Sequence, residues 1–167
     1  HADLVVGVGD EVEEFLAAAI NDIPEHIPAI SEISIVVIDD GSADRTAEVA
    51  SAHPRVAKVV QLPYHQGLAV AFRAGIDASL GLAADIIVNT DADNQYPGRY
   101  IQELIKPILE KQAEFVVGAR NIDEIEHFSY PKKLAQRAGS GVVSFICSQH
   151  IPDATSGFRA FRRGAAL

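Results

Sequence analysis

The sequence predicts an α/β domain in which a mostly parallel β-sheet is flanked by helices. Apolar runs of strand length alternate along the chain with segments whose apolar residues recur at helical spacing. Such alternation is typical of parallel strands joined by crossover helices. Acidic or basic side chains follow three of the predicted strands at the point where each strand ends. Because ligands bind beyond the carboxyl ends of the strands in such sheets, we expect the functional site at that edge.

The predicted strands are rich in β-branched and other apolar residues, which suit positions buried within a sheet. The strongest is Ile33–Ile38, in which five of six residues are β-branched aliphatics. Strands are expected at residues 4–8, 33–38, 56–62, 115–118 and 158–161, and a further one begins with the apolar run 86–88 and leads into Asp91-Ala92-Asp93. The helices are expected at residues 11–22, 44–51, 68–80, 97–111 and 131–148, with Pro107 kinking or restarting the fourth.

The composition narrows the class of protein. A chain of 167 residues with 48% hydrophobic residues fits one folded domain with a full core. The net charge of −9 argues against a nucleic-acid partner, which would require a basic face. It also means that a phosphate-bearing ligand must be met by local cations, because the overall field repels it.

The single cysteine, Cys147, rules out an internal disulfide and fits a reducing compartment. No apolar run approaches the roughly 20 residues needed to span a bilayer. We therefore expect a cytoplasmic protein, or one at the cytoplasmic face of a membrane that it reaches only through parts outside this chain.

The most informative stretch is Asp85–Pro97, where an apolar run ends in three polar residues at alternate positions. Alternate residues of an extended segment point to the same side, so Asp91, Asp93 and Gln95 should converge. Two carboxylates that close repel each other unless a cation neutralises them. Oxygen ligands of this kind suit Mg²⁺ or Mn²⁺. The alternative is an acidic turn in which Asp93 or its neighbour caps the following helix.

A second acidic pair, Asp39-Asp40, follows the second strand and precedes Gly41. A carboxylate there could accept hydrogen bonds from a ribose hydroxyl or a base N–H. The alternative is an Asx turn with a helix cap, because Asp-Gly-Ser is common turn chemistry.

Four further side chains could serve a phosphate or an acceptor. Arg120 follows the fifth strand, and its guanidinium could hold a phosphate as a fork. Lys132 lies in the first turn of a predicted helix, where a cation opposes the helix dipole unless it faces an anion. Arg159 could bind a phosphate or order a loop over one, and Asp153 could be a general base. The alternative for each is a solvated surface residue or a turn cap.

Together these residues predict a metal-bridged diphosphate held between Asp91-x-Asp93 and one or more of Arg120, Lys132 and Arg159. A divalent metal there would act as a Lewis acid on a departing diphosphate. Electrostatic help of this kind is typically worth several kcal/mol.

The sequence resembles the family 2 glycosyltransferases, and within them the polyprenyl-phosphate sugar transferases such as dolichol-phosphate mannose synthase. The resemblance covers about residues 33 to 163. It rests on VVIDDGSADRT at residues 36–46, QGL at 66–68 with Ala71 and Gly75, NTDADNQYP at 89–97, VGAR at 117–120 and TSGFR at 155–159.

The resemblance implies a single glycosyltransferase-A (Rossmann-like) domain over residues 3–167, truncated at its C-terminus. It implies inverting, metal-dependent transfer of a sugar from a nucleotide-diphosphate sugar, a UDP- or GDP-sugar, to an acceptor. The expected acceptor is a polyprenyl phosphate. Two alternatives stay open: a nucleotide-binding relative without turnover, and a receiver-type signalling domain.

By the same resemblance, Asp40 would contact the base or ribose, with Asp39 supporting it. Asp91 and Ala92 would line the donor. Asp93, the expected catalytic residue, would hold Mg²⁺ or Mn²⁺ and would share it with the two neighbouring ligands, Gln95 and Asp91.

The remaining roles implied by the resemblance concern phosphates and the acceptor. Arg120 and Lys132 would meet phosphates of the donor, and Asp153 would stand near the acceptor as a second catalytic residue. Arg159 is expected to bind the donor because of its own chemistry, as given above. The family's first strand usually ends in a Pro-x-Tyr-Asn-Glu-like turn, whereas this sequence has GVGDE at residues 7–11. Only Glu11 is retained there as a donor-binding residue.

Overall fold

A computed structural model describes residues 2–9, 13–92, 96–119 and 156–167 of the chain. Six strands and five helices lie within these ranges. The strands are β1 (Ala2–Gly9), β2 (Ile30–Asp39), β3 (Val56–Gln61), β4 (Ile86–Asp91), β5 (Phe115–Val117) and β6 (Arg159–Arg162). The helices are α1 (Glu13–Asp22), α2 (Thr46–Ala52), α3 (Leu68–Gly81), α4 (Ile101–Leu109) and α5 (Arg163–Ala166), with a 3₁₀ turn at Gly98–Tyr100.

The strands form one sheet in the order β3-β2-β1-β4-β6-β5. The first four strands in this order, β3, β2, β1 and β4, run parallel to one another, and β6 runs antiparallel to both β4 and β5. Strands β1 to β5 therefore share one direction, and their carboxyl ends meet at one edge together with the start of β6. The predicted α/β domain with a mostly parallel sheet is confirmed.

The two faces of the sheet are buried in separate apolar clusters, which follow the alternation of side chains along each strand. In β2, Ile35 and Val37 join the larger cluster with α1 and α4, whereas Val36 and Ile38 face α3. Both faces are thus covered, as expected for parallel strands built from nearly continuous apolar runs.

The end of α4 is set by a left-handed cap at Lys111, and the helix continues through Pro107 instead of restarting there. The predicted helix ran to Lys111, but α4 ends at Leu109, two residues after Pro107. Lys111 has a positive φ of 59°, and the backbone N–H groups of Gln112 and Ala113 donate to the Pro107 carbonyl. This arrangement is a left-handed helix cap, which satisfies carbonyls that the helix itself leaves open.

Two predicted features lie wholly or partly outside the described residues: the helix at 131–148 and the start of the helix at 11–22. Within the described ranges, no helix combines the length and apolarity needed to cross a membrane.

Candidate functional site

The carboxyl edge of the sheet carries an acidic residue at the end of each of two strands. Strand β2 ends at Asp39-Asp40 and β4 ends at Asp91, with β1 lying between them. Two strand spacings separate these ends, so the acidic groups lie roughly 10 Å apart across the sheet. The edge therefore suits an extended ligand with one end at β2 and the other at β4.

Asp39 is buried, with 1% of its surface exposed. Its Oδ1 accepts a hydrogen bond of 2.8 Å from the backbone N–H of Ser42, which closes the turn after β2. Its Oδ2 is buried without a hydrogen-bond partner among the described residues. A buried acceptor left unpaired is costly, so this oxygen is the natural contact for a donor group of a ligand.

Asp40, by contrast, is engaged by the loop between β3 and α3. Its two oxygens accept 2.7 Å hydrogen bonds from the backbone N–H groups of Gln66 and Gly67, and His65 Nδ1 lies 2.9 Å from Oδ2. The hydrogen bond from Gln66 is the main reason that the pKa of Asp40 lies below its ordinary value of 3.8, although burial acts in the opposite direction. Asp40 thus fastens that loop to the end of β2.

The loop and the turn after β2 also touch through their backbones. Gly41 has a φ of +74°, a conformation that favours glycine. A methyl group on Gly41 would lie 2.6 Å from the backbone nitrogen of His65. The two segments therefore form one packed unit beside Asp39, with the ring of Tyr64, 66% exposed, on its outer side.

At the β4 end, Asp91 is half-buried and lies against the turn Ser156–Arg159. The Asn89 amide donates to the Gly157 carbonyl over 2.7 Å, and Arg159 Nε donates to the Ser156 carbonyl over 2.6 Å. Arg159 thus helps to order the turn beside Asp91. Its contact with a phosphate stays a prediction.

Ala92 occupies a different environment from its neighbour. It has 0% exposure and belongs to the larger core cluster, on the face opposite α3. The expected contact of Ala92 with the donor stays a prediction.

The other expected site residues lie outside the described part of the chain. They are Glu11, Asp93, Gln95, Arg120, Lys132 and Asp153. Among the residues that the structure does describe, no three His, Cys, Asp or Glu side chains are grouped as metal ligands. The ligand set Asp91, Asp93 and Gln95 therefore stays a prediction.

Sequence reasoning missed three residues that shape the edge: Asn89, Gly157 and His65. Asn89 carried a signal, because an amide inside the apolar run of β4 needs a hydrogen-bond partner. Gly157 lies in the TSGFR motif, but its contact with Asp91 could not be predicted because the two residues are 66 positions apart in the sequence. The contact of His65 with Asp40 depends on the same kind of long-range packing.

The comparisons with known proteins agree with this architecture. The family model described as "Glycosyl transferase family 2" matches residues 4–167. The chain is 33% identical over 137 residues to an uncharacterized protein of Methanocaldococcus jannaschii, which covers 80% of this chain and 55% of that protein. It is 27% identical over 170 residues to UDP-N-acetylglucosamine–dolichyl-phosphate N-acetylglucosaminyltransferase of Methanococcus voltae, covering 92% of this chain and 66% of the relative.

Among solved structures, glucosyl-3-phosphoglycerate synthase from Mycobacterium tuberculosis, in complex with Mn²⁺, UDP and glucosyl-3-phosphoglycerate, is similar with a TM-score of 0.67 at 22% identity. The match covers 98% of this chain and 57% of that one. It confirms the glycosyltransferase-A fold. The chain spans 55–66% of the length of the three proteins named here. With a family model that matches residues 4–167, the chain belongs to glycosyl transferase family 2.

Proposed function

We propose that this domain transfers a sugar from a nucleotide-diphosphate sugar to an acceptor, with a divalent metal and with inversion at the anomeric carbon. The observation that carries the proposal is the pair of acidic strand ends on one edge of the sheet. Asp39 keeps a buried acceptor oxygen there, and Asp91 lies roughly 10 Å away across β1. Family membership supports the same reaction class.

The residues fit a divalent metal by their chemistry and by the place of Asp91. Asp91, Asp93 and Gln95 offer only oxygen ligands, which suit Mg²⁺ or Mn²⁺. The Asp91 carboxylate lies at the carboxyl edge, where ligands of such sheets bind. A bound metal would neutralise charge on the departing diphosphate. Arg120 and Lys132 would meet the same phosphates, and Arg159 would keep the turn beside Asp91 in place.

At the other end of the edge, the two acids of β2 would divide the work. Asp39 Oδ2 would accept a hydrogen bond from the base or ribose, because it is the acceptor that the fold leaves open. Asp40 would keep the β3–α3 loop in place, since both of its oxygens already accept hydrogen bonds from that loop. This division reverses the emphasis expected from the resemblance, which gave Asp40 the ligand contact. Glu11 lies outside the described residues, and its expected role as a donor-binding residue stays a prediction.

The acceptor would be a polyprenyl phosphate, as the name of the Methanococcus voltae relative indicates for that protein. An acceptor phosphate oxygen would attack the anomeric carbon from the side opposite the diphosphate. The new C–O bond forms as the bond to the diphosphate breaks, which inverts the configuration. Because a phosphate oxygen is already an anion, Asp153 would orient the acceptor rather than remove a proton. A lipid acceptor would place the domain at the cytoplasmic face of a membrane.

The proposal is tested with a panel of UDP- and GDP-sugars and a short-chain polyprenyl phosphate, before and after metal removal. We expect transfer, or slow donor hydrolysis, that stops with EDTA and returns with manganese. Manganese-dependent nucleotide binding without turnover would instead favour a nucleotide-binding relative that has no transferase activity. Phosphorylation by small phosphodonors would favour a receiver domain, and either result would contradict the transferase.

The same substitution, aspartate to asparagine, should have different effects at the two positions: it should weaken ligand binding at Asp39 and lower the stability of the fold at Asp40. Asp39→Asn keeps an oxygen for the Ser42 N–H but replaces the open acceptor with an N–H group, so nucleoside diphosphates should bind about 10-fold more weakly. Asp40→Asn should lower the stability of the fold. The amide has one oxygen and one NH₂ group, so one of the two backbone N–H groups that Asp40 now accepts from would face another donor. Calorimetric titration and urea unfolding measure the two effects.

The pH dependence of unfolding provides the control for Asp40. The folded-state pKa of Asp40 is lowered, so its contribution to stability is present above the unfolded value and is lost as pH falls through the folded value. The stability gap between the wild type and Asp40→Asn should therefore narrow from about pH 6 to about pH 3. A gap that stays constant over this range would contradict the role of the carboxylate.

A further inference from the structure

We propose that Gly157, held in place by Asn89, is a positioning residue that fixes the Asp91 carboxylate. The inference deepens the proposed function and rests on it, since the value of a fixed Asp91 lies in binding a metal and a diphosphate. It concerns the described residues of β4 and of the turn that leads into β6.

The register of the sheet brings Gly157 and Asp91 together. Strands β4 and β6 pair antiparallel, and the last recorded pair is Asn89 with Arg159. Two residues further along β4, in the same register, Asp91 comes opposite Gly157. Because side chains two apart on a strand share a face, the side chains of Asn89 and Asp91 lie on the same face of the sheet, and both reach Gly157.

The turn that carries Gly157 is fixed by four hydrogen bonds. Asn89 Nδ2 donates to the Gly157 carbonyl, and Arg159 Nε donates to the Ser156 carbonyl, as described above. The backbone N–H of Phe158 donates to Ser156 Oγ over 3.1 Å, and that of Gly118 donates to the Phe158 carbonyl over 2.8 Å. Ser156 and Phe158 are also buried, so the turn is a firm support.

The space that a side chain of Gly157 would need is occupied by the Asp91 carboxylate. A methyl group built on Gly157 would overlap Asp91 Oδ2 and lie 2.8 Å from the carboxylate carbon. Its three nearest atoms all belong to that carboxylate, and Gly157 does not have a positive φ. Glycine is therefore required here for the room it gives to Asp91, and not for its backbone conformation.

A carboxylate that rests on a fixed backbone is held in one place before the ligand arrives. Groups that orient a metal ligand without touching the metal typically change metal affinity by about 10- to 100-fold when they are altered. A methyl group on Gly157 would displace the Asp91 carboxylate, because hydrogen bonds and burial hold the turn beneath it. The Asp91 carboxylate would then keep its charge but would no longer lie where it can bind the metal.

The test compares Gly157→Ala with Gly164→Ala, a control in which the new methyl group meets nothing within 4 Å. Gly157→Ala should weaken manganese-dependent binding of a nucleoside diphosphate by about 10- to 100-fold, whereas Gly164→Ala should not. The NMR shift of the ¹³C-labelled Asp91 carboxyl group should change in the ligand-free Gly157→Ala protein. Asn89→Ala, which keeps the glycine but removes one support, should shift both readouts in the same direction and by less.

A double substitution shows whether the effect passes through Asp91. In an Asp91→Ala background, Gly157→Ala should cause no further loss of manganese-dependent binding, because the group that it displaces is gone. An equal loss in both backgrounds, or an unchanged Asp91 shift in Gly157→Ala, would overturn the positioning role. The proposed function fails separately, if the wild-type protein itself binds no nucleotide with manganese.

Discussion

Replacing Asp91 with asparagine is expected to lower the rate of sugar transfer by about 10²- to 10³-fold, the usual effect of removing one group that stabilises charge in the transition state. The amide keeps the size of the carboxylate and the contact with Gly157, but it loses the negative charge that binds a divalent metal. The loss should appear both in manganese affinity and in the rate at saturating donor. Asp93→Ala should behave in the same way if the two residues share the metal.

The matched control is Asp77→Asn, which makes the same chemical change on the exposed face of α3. Asp77 lies 3.9 Å from Arg73 in a surface pair whose side chains are largely exposed, so its loss should change little. Initial rates measured over a manganese titration separate the two variants. If Asp91→Asn transfers sugar at the wild-type rate at low manganese, the Asp91 carboxylate has no role in the reaction.

Local sequence patterns were sufficient to predict the strands of this fold. The apolar run of β2 is long and β-branched, and its alternate residues are buried on opposite faces as a strand requires. The acidic ends of β2 and β4 meet at one edge, because parallel strands must place their carboxyl ends together. That part of the site therefore follows from the order of elements alone.

Long-range contacts could not be predicted in the same way. The pairing of β6 with β4 joins segments about 70 residues apart, and its pairing with β5 joins segments about 44 residues apart. Nothing within these segments specifies the two pairings. The roles of Asp39 and Asp40 depend on which carboxylate the β3–α3 loop covers. Neighbouring residues of the same type differ only in the face they occupy, and that is settled by tertiary packing.

The same packing makes Gly41 the residue where a single methyl group should do most damage to the fold. Gly41→Ala must adopt a φ of +74° and must also fit beside the backbone of Tyr64 and His65. A left-handed conformation costs an alanine about 1–2 kcal/mol. Overpacking against a group that cannot move adds about 1–3 kcal/mol. We therefore expect Gly41→Ala to lower the free energy of unfolding by about 2–5 kcal/mol in urea denaturation.

Two other glycines separate these causes. Gly67 has a φ of +90° and a ψ of 162°, a region that is essentially restricted to glycine, and a new methyl group there would meet nothing within 4 Å. Gly67→Ala should therefore show only the conformational cost of about 1–3 kcal/mol. Gly81 ends α3 in open space without a positive φ, and Gly81→Ala should be neutral or slightly stabilising. If Gly41→Ala costs no more than Gly67→Ala, the β3–α3 loop does not press on the turn. Asp40 would then hold a loop that the rest of the edge does not need.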